Sequence, residues 1–334
     1  MIGRHSFPAP KKWSADFEFR PLPFLRNPHV QTVLGALVPG LDCPLPDQQR
    51  VIRLPDGDAV VLHNNTPSGW QPGDPLALLV HGLSGSHLSR HIRRLAALLL
   101  SHRVRVVRMD LRGAGAGLPL ARRCYHAGRS DDVRAALDEI HTWSPSSPLL
   151  LMGLSLGAAL VLRMAGEAAE HPVPGLTRIA AVSPPIDLPR CSALLSLRKN
   201  RIYENNFLRD LTLGARLRQR YFPDLPPLKF PRRMTLRLFD ELYTAPRSGF
   251  ASADDYYRKA SCDVFVPRIQ VPTLILTARD DPFIAVEPFE ELKAPSNVQV
   301  RIVAHGGHLG FLGWDGAGGI RWAERRTVAW LLQK

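Results

Sequence analysis

The chain has 334 residues and a formal net charge of +13, with 45% of its residues hydrophobic and 22% charged. That length supports a well-buried core, and the balance of apolar and charged residues excludes an intrinsically disordered, collagen-like or coiled-coil chain. No apolar run approaches the roughly 18 to 20 residues that cross a bilayer, and the first thirteen residues hold no apolar export core, so a cytoplasmic protein is expected.

In chain order, the first 45 residues come with eight prolines between Pro8 and Pro46 and read as an arm lying over the core rather than a domain. Arg50 to Leu54 and Ala59 to Asn64 then flank Pro55-Asp56-Gly57-Asp58, a hairpin turn signal. Beyond it, short apolar runs rich in branched residues follow: Leu76 to Val80, Val104 to Met109, Leu149 to Met152, Ile179 to Val182, Thr273 to Thr277 and Val298 to Val303. Between them Ser89 to Leu100, Ser130 to Trp143, Leu156 to Ala169 and a terminal Ile320 to Leu332 have helical period, and Ser130 before Asp131 and Asp132 reads as a capped start. This alternation predicts an α/β fold whose central sheet begins antiparallel, continues parallel and carries helices on both faces. Asp187 to Val266 breaks the rhythm with prolines around Pro223 to Pro231 and a helix from Glu204 to Tyr221, and reads as an inserted helical cap. The expected division is an arm over 1–45, a core over 46–186 and 267–334, and a cap over 187–266. Its oligomeric state has no signature.

Gly153-Leu154-Ser155-Leu156-Gly157 lies directly between the run ending at Met152 and a helix rich in small residues, the context of a nucleophile elbow. A serine on so sharp a turn has a strained backbone, and glycine two positions to either side lets strand and helix approach. A neutral hydroxyl is a poor nucleophile, so an imidazole must take its proton and a carboxylate must orient that imidazole. Ala278-Arg279-Asp280-Asp281-Pro282-Phe283 places two carboxylates at the carboxyl end of a strand, and the proline after Asp281 suits a rigid turn that aims it, while Asp280 is expected to cap the turn or meet solvent. Ala304-His305-Gly306-Gly307-His308 follows the last strand in a glycine-flexed loop, with His308 as the candidate base. The backbone amides of Leu156, after the nucleophile, and Leu83, in the glycine-punctuated loop His81-Gly82-Leu83-Ser84-Gly85-Ser86, are the candidate oxyanion donors, and His81 is expected to shape that loop.

Other motifs read as structural. Asp110-Leu111-Arg112-Gly113-Ala114-Gly115-Ala116-Gly117 has Leu118 where a dinucleotide fingerprint needs its third glycine, so its glycines are expected to turn the chain past the site. His305 with His308, and His87 with His91 on a shared helix face, lack further ligands at metal spacing, so no metal is expected. Cys43, Cys124, Cys191 and Cys262 lie far apart and read as reduced thiols. Arg outnumbers Lys by 36 to 7, yet no nucleic-acid-binding signature accompanies the charge, and no nucleic acid is expected as partner. The basic excess is concentrated in Arg190 to Arg237, where twelve Lys or Arg face three acidic residues, so the cap is a candidate for peripheral contact with anionic membranes.

With these pieces in order, the sequence resembles the YheT-like α/β-hydrolases, the fourth family of AB hydrolases, from about Pro21 to Gly313. The matching motifs include Asn27-Pro28-His29-Val30-Gln31-Thr32, His81-Gly82-Leu83-Ser84-Gly85-Ser86, Asp110-Leu111-Arg112-Gly113, Tyr125-His126-Ala127-Gly128, the elbow, Asp254-Asp255-Tyr256-Tyr257, Asp280-Asp281-Pro282-Phe283 and His305-Gly306-Gly307-His308 with Gly310-Phe311. The resemblance implies a serine hydrolase with Ser155, Asp281 and His308 as its triad, acting without a cofactor on short-chain carboxylic esters or acylglycerols. Two alternatives share the fold: an acyltransferase using the same acyl-enzyme, and a binding protein with a vestigial triad.

Overall fold

The computed structural model describes residues 18–43 and 47–333. Residues 1–17 of the expected arm, and 44–46 at its boundary, lie outside them. The turn signal is realised as a hairpin between β1 (Gln48–Arg53) and β2 (Ala59–Asn65), with Gly57 at φ +87°. Then come β3 (Leu76–Val80), β4 (Arg105–Asp110), β5 (Leu149–Leu154), β6 (Leu176–Val182), β7 (Thr273–Ala278) and β8 (Val298–Val303). They form one sheet in the order β1-β2-β4-β3-β5-β6-β7-β8, antiparallel at β1/β2 and β2/β4 and parallel from β4 onward. The sheet therefore has the expected antiparallel start and parallel continuation.

The helices among the described residues are α1 (Pro28–Leu37), α2 (Arg90–Ser101), α3 (Asp131–Trp143), α4 (Leu156–Glu167), α5 (Leu188–Leu195), α6 (Arg201–Tyr221), α7 (Leu236–Phe239), α8 (Ala245–Arg247), α9 (Ala253–Ala260), α10 (Glu287–Glu290) and α11 (Trp322–Leu331). Because successive strand side chains point to opposite faces, β3 feeds two cores. Leu76, Leu78 and Val80 pack with Val133, Leu137 and Ile140 of α3 and Val161 of α4. Ala77 and Leu79 pack with Ile92, Leu95 and Leu99 of α2 and with Trp322 and Trp330 of α11. Each such fully buried aliphatic side chain stabilises the fold by roughly 2 kcal/mol. A strand buried on both faces must read as a continuous apolar run, as β3 does.

Between β6 and β7 the chain forms α5 to α9 and no strand, with a π-helical turn at Asp240–Thr244 between α7 and α8. α6 begins three residues before the expected Glu204. Two local expectations are corrected. Ser130 does not cap α3: its backbone is already helical (φ −74°, ψ −22°), whereas a capping residue sits in extended geometry, and its hydroxyl donates to Glu167 Oε2 at 2.5 Å. His87 precedes α2, so it shares no helix face with His91; its ring stacks on His63 at 3.4 Å, and His91 lies near Leu309 O at 3.2 Å.

Candidate active site

The elbow is built by close approach. Ser155 has φ +52° and ψ −123°, a strained conformation for a residue with a side chain, and lies between the last residue of β5 and the first of α4. A Cβ on Gly153 would fall 2.6 Å from Ala158 Cα, and one on Gly157 would fall 2.4 Å from His81 O and 2.5 Å from Val80 O. These glycines let α4 pack directly on the ends of β5 and β3, which lifts Ser155 to the carboxyl edge of the sheet.

Two other strand ends meet it there. His308, in the loop after β8, has Nε2 2.9 Å from Ser155 Oγ and Nδ1 2.8 Å from Asp281 Oδ2, in the loop after β7. The second carboxylate oxygen, Asp281 Oδ1, accepts from the amides of Phe283 and Ile284 at 3.1 and 3.0 Å. These bonds fix the carboxylate, and the Asp281 side chain is fully buried. Phe283 packs its ring on His308 with centroids 4.2 Å apart. The arrangement can carry a proton from Ser155 to His308 while Asp281 holds the imidazole in the tautomer that leaves Nε2 open. The adjacent Asp280 does not cap its own turn or face open solvent. It accepts from Gly307 N at 2.9 Å and lies 3.2 Å from His305 Nδ1, pinning the loop that presents His308.

Residues 27–32 supply the other half of that loop's support. Asn27 Oδ1 caps α1, accepting from the amides of His29 and Val30, and Pro28 opens the helix. Gln31, wholly buried, donates to Leu25 O and Leu312 O and accepts from Leu312 N. Thr32 Oγ1 accepts from His308 N. Gly307 has φ +56°, and a Cβ there would fall 2.3 Å from Pro28 O. The Asn27 to Thr32 motif thus holds the His308 loop in place, a role its sequence did not disclose.

The loop after β3 wraps the opposite side. His81, fully buried, donates from Nδ1 to Gly82 O (2.8 Å) and accepts at Nε2 from Leu111 N (3.2 Å), so it ties this loop to the end of β4; burial pushes its pKa down, keeping it neutral. Ser84 N donates to Tyr125 Oη (2.7 Å), Gly85 N to Gly82 O and Ser86 N to Ser89 Oγ. Neither Leu83 N nor Leu156 N is spent on these bonds. Asp110, unexposed, accepts from His87 N (2.6 Å) and Ala116 N (2.9 Å) and sits 3.1 and 2.8 Å from the rings of His63 and His87. Burial works against its charge, but the hydrogen bonds from His63 and His87 outweigh it and hold the carboxyl well below the usual range. Buried Arg112 meets the buried Asp58 and Asp132 and the exposed Asp56. Asp110 and Arg112 were visible in the sequence only as a turn motif; their partners lie on other strands and loops.

Ser155 opens onto a cleft of about 350 Å³. Its walls come from the loops after β3 and β4 and from α5, α6, α7 and α9, with Leu188, Leu195, Phe207, Leu211, Phe239 and Phe283 among its apolar lining. Among the described residues one trio of potential metal ligands approaches, Asp47, His63 and His87. The 8° angle between the stacked rings of His63 and His87 leaves no common in-plane position for an ion, which an imidazole nitrogen binds in its ring plane.

A family profile for the α/β hydrolase fold matches residues 75–313. "Putative esterase YheT" of Escherichia coli is 32% identical over 327 residues, covering 96% of this chain and 94% of that protein. The medium-chain fatty acid ethyl ester synthase/esterase 2 of Saccharomyces cerevisiae is 29% identical over 267 residues, 72% of this chain and 59% of that one. Among solved structures, the Pyrococcus furiosus esterase Pf2001 superposes with a TM-score of 0.55 at 16% identity, covering 86% of this chain and 91% of that one. The eight-stranded, mostly parallel sheet agrees with that likeness. The chain belongs to the α/β-hydrolase family, in its YheT-like group.

Proposed function

We propose that the protein hydrolyses carboxylic esters through an acyl-enzyme on Ser155. The continuous hydrogen-bonded chain Ser155 Oγ, His308 and Asp281, at 2.9 and 2.8 Å and opening onto an apolar cleft, carries this reading. Oγ attacks the ester carbonyl as its proton passes to His308 Nε2, and Asp281 balances the imidazolium that forms. The amides of Leu83 and Leu156 receive the carbonyl oxygen as it becomes negative; each such donor typically contributes on the order of 10²- to 10³-fold in rate. His308 then protonates the departing alkoxide, accepts a proton from water as the hydroxide so formed attacks the acyl carbon, and returns that proton to Ser155 Oγ as the acyl–oxygen bond breaks and the acid leaves. Short-chain acyl esters or acylglycerols suit the apolar lining, and no step needs a cofactor or metal. In this reading residues 187–266 serve as a cap over the core of 46–186 and 267–334, and residues 1–45 as the arm. Ser155→Ala should abolish turnover of p-nitrophenyl butyrate and labelling by a fluorophosphonate; persistent activity in that variant refutes the assignment.

A second reading is acyl transfer to an alcohol, supported by the yeast relative's name as a synthase as well as an esterase. Product analysis with added ethanol separates the two. If wild-type Ser155 were not labelled by the fluorophosphonate, the remaining reading would be a binding protein on the same fold.

We further propose that the cap touches anionic membranes from a cytoplasmic location. Arg198, Arg201, Arg216, Arg220, Arg232 and Arg233 are exposed and make no ion pair among the described residues, and Ile202 and Leu213 stand exposed on α6 beside them. No disulfide joins Cys43, Cys124, Cys191 and Cys262 among the described residues, as suits a reducing compartment. Well-placed basic residues contribute about 1 kcal/mol each at an anionic surface. Sedimentation with phosphatidylserine vesicles should exceed that with neutral vesicles and fall with salt; equal sedimentation removes the proposal.

A further inference from the structure

Four arginines are buried among the described residues, Arg94, Arg108, Arg112 and Arg218. Three of them meet carboxylates: Arg94 pairs with Glu324 at 2.7 Å, Arg108 with Asp47, and Arg112 with Asp58 and Asp132. Arg218 differs. It is 4% exposed, lines the same cleft as Ser155, and makes no ion pair among the described residues. Nη1 donates to Tyr243 Oη at 2.8 Å and Nη2 to Gly113 O at 3.0 Å, while Nε has no partner. A guanidinium carries five N–H donors, so two bonds leave most of them unspent.

A cation taken out of water without a counter-charge is unfavourable, and structures keep one where something else compensates it. The cleft's own carboxylates do not. Asp210 is bonded to Arg209 at 3.0 Å, and Asp240 accepts from Tyr257 Oη at 2.7 Å. Tyr243 accepts from Arg218, which leaves its phenol hydrogen available as a donor, and burial pushes that phenol's pKa up so that it keeps the hydrogen. The Gly113 carbonyl approach is tight: a Cβ at Gly113 would fall 2.1 Å from Arg218 Nη2, so glycine there admits the guanidinium.

We propose that Arg218, with the Tyr243 hydroxyl, forms an anion subsite in the cleft, and that the preferred ester carries a carboxylate or phosphate group besides its acyl chain. The apolar lining takes the chain, the guanidinium takes the charge, and Ser155 meets the ester between them. This rests on the hydrolytic reading of Ser155 and adds to it the class of substrate. An anionic oxygen pair matches the planar fork of a guanidinium, and a charge-assisted pair of this kind discriminates by roughly 10- to 100-fold.

The test uses matched substrates that differ by the charged group: mono-p-nitrophenyl glutarate against p-nitrophenyl pentanoate, with the anion on the acyl side, and 1-decanoylglycerol 3-phosphate against 1-decanoylglycerol, with it on the alcohol side. Wild-type kcat/KM should favour the anionic member of at least one pair. Arg218→Met should lose at least about tenfold more on that member than on its neutral match, chiefly through KM. Arg218→Lys should recover part of the loss, and Tyr243→Phe should show the same bias more weakly. Calorimetric titration of Ser155→Ala with decanoylglycerol phosphate and decanoylglycerol reads the subsite independently of turnover. Tighter binding of the phosphate, lost on adding Arg218→Met and partly kept with Arg218→Lys, supports it even if none of the four esters is cleaved, an outcome that would instead sink the hydrolytic reading. Equal losses on both members of each pair, or no preference for anions in either turnover or binding, overturn the subsite and leave Arg218 as a clamp between α6, Gly113 and Tyr243.

Discussion

The hydroxyl of Thr32 accepts a hydrogen bond from the backbone N–H of His308 at 2.9 Å, and in turn donates to Pro28 O at 2.7 Å. The two residues are separated by 276 positions in the chain, so the candidate base is held by α1 as well as by its own loop. Thr32→Val keeps the side-chain shape and removes the acceptor. It should cost about 1 kcal/mol of stability in urea denaturation, and lower kcat on p-nitrophenyl butyrate roughly 3- to 10-fold as the ring loses its placement. A variant with wild-type kcat would show that the loop holds His308 unaided.

Asp281 and Asp280 make different contacts although they are adjacent. Asp281→Asn should leave the fold intact and reduce kcat by roughly 10⁴-fold, because the amide favours the wrong imidazole tautomer. Asp280→Asn touches only the loop amide of Gly307 and the His305 ring, so its loss should stay within about tenfold. Steady-state kinetics on one ester decides between them, and a reversed order would move the acid to Asp280.

The glycines of the elbow should be nearly irreplaceable. Gly157→Ala would push a methyl group against two backbone carbonyls, His81 O and Val80 O, neither of which can swing aside as a side chain tip can. A destabilisation of about 3 kcal/mol or more, or failure to yield soluble protein, is expected. Gly214→Ala is the control: its Cβ would meet nothing within 4 Å, and its melting temperature should match or exceed wild type.

Asp110 predicts acid sensitivity with a definite sign. Its carboxyl is held below the ordinary value of 3.8 in the folded protein, so its stabilisation is complete above that value and is lost as pH falls from about 4 towards the lower folded value. Urea midpoints measured from pH 6 down to pH 2 should fall, and Asp110→Asn, already weaker at pH 6, should fall less steeply. Parallel curves would show that other carboxylates carry the acid limb.

Ser155, Asp281 and His308, which the structure brings into one hydrogen-bonded chain, and the proposed donors Leu83 and Leu156 each lie in a short motif beside an apolar strand run, which is why the sequence singles them out. The strands were legible for the same reason: β3, β5 and β7, and β6 from Ile179 onward, are buried on both faces and read as mostly apolar runs. Ser130 was misread because its hydroxyl finds Glu167 on the neighbouring helix, a competitor that local spacing does not show. His87 was misread because helical period continues upstream of the first residue that adopts helical geometry.

By itself, the order of residues determined the layered sheet, the elbow and the three side chains that could share a proton, since alternation, glycine spacing and strand-end position are local properties of a chain. Tertiary structure alone decided that Gln31 and Thr32 would grip the His308 loop, that Asp110 would bind two stacked imidazoles, and that Arg218 would be enclosed without a carboxylate. Those relationships join residues tens to hundreds of positions apart, and nothing short of the folded path specifies which buried polar group finds a partner and which is left facing the cleft.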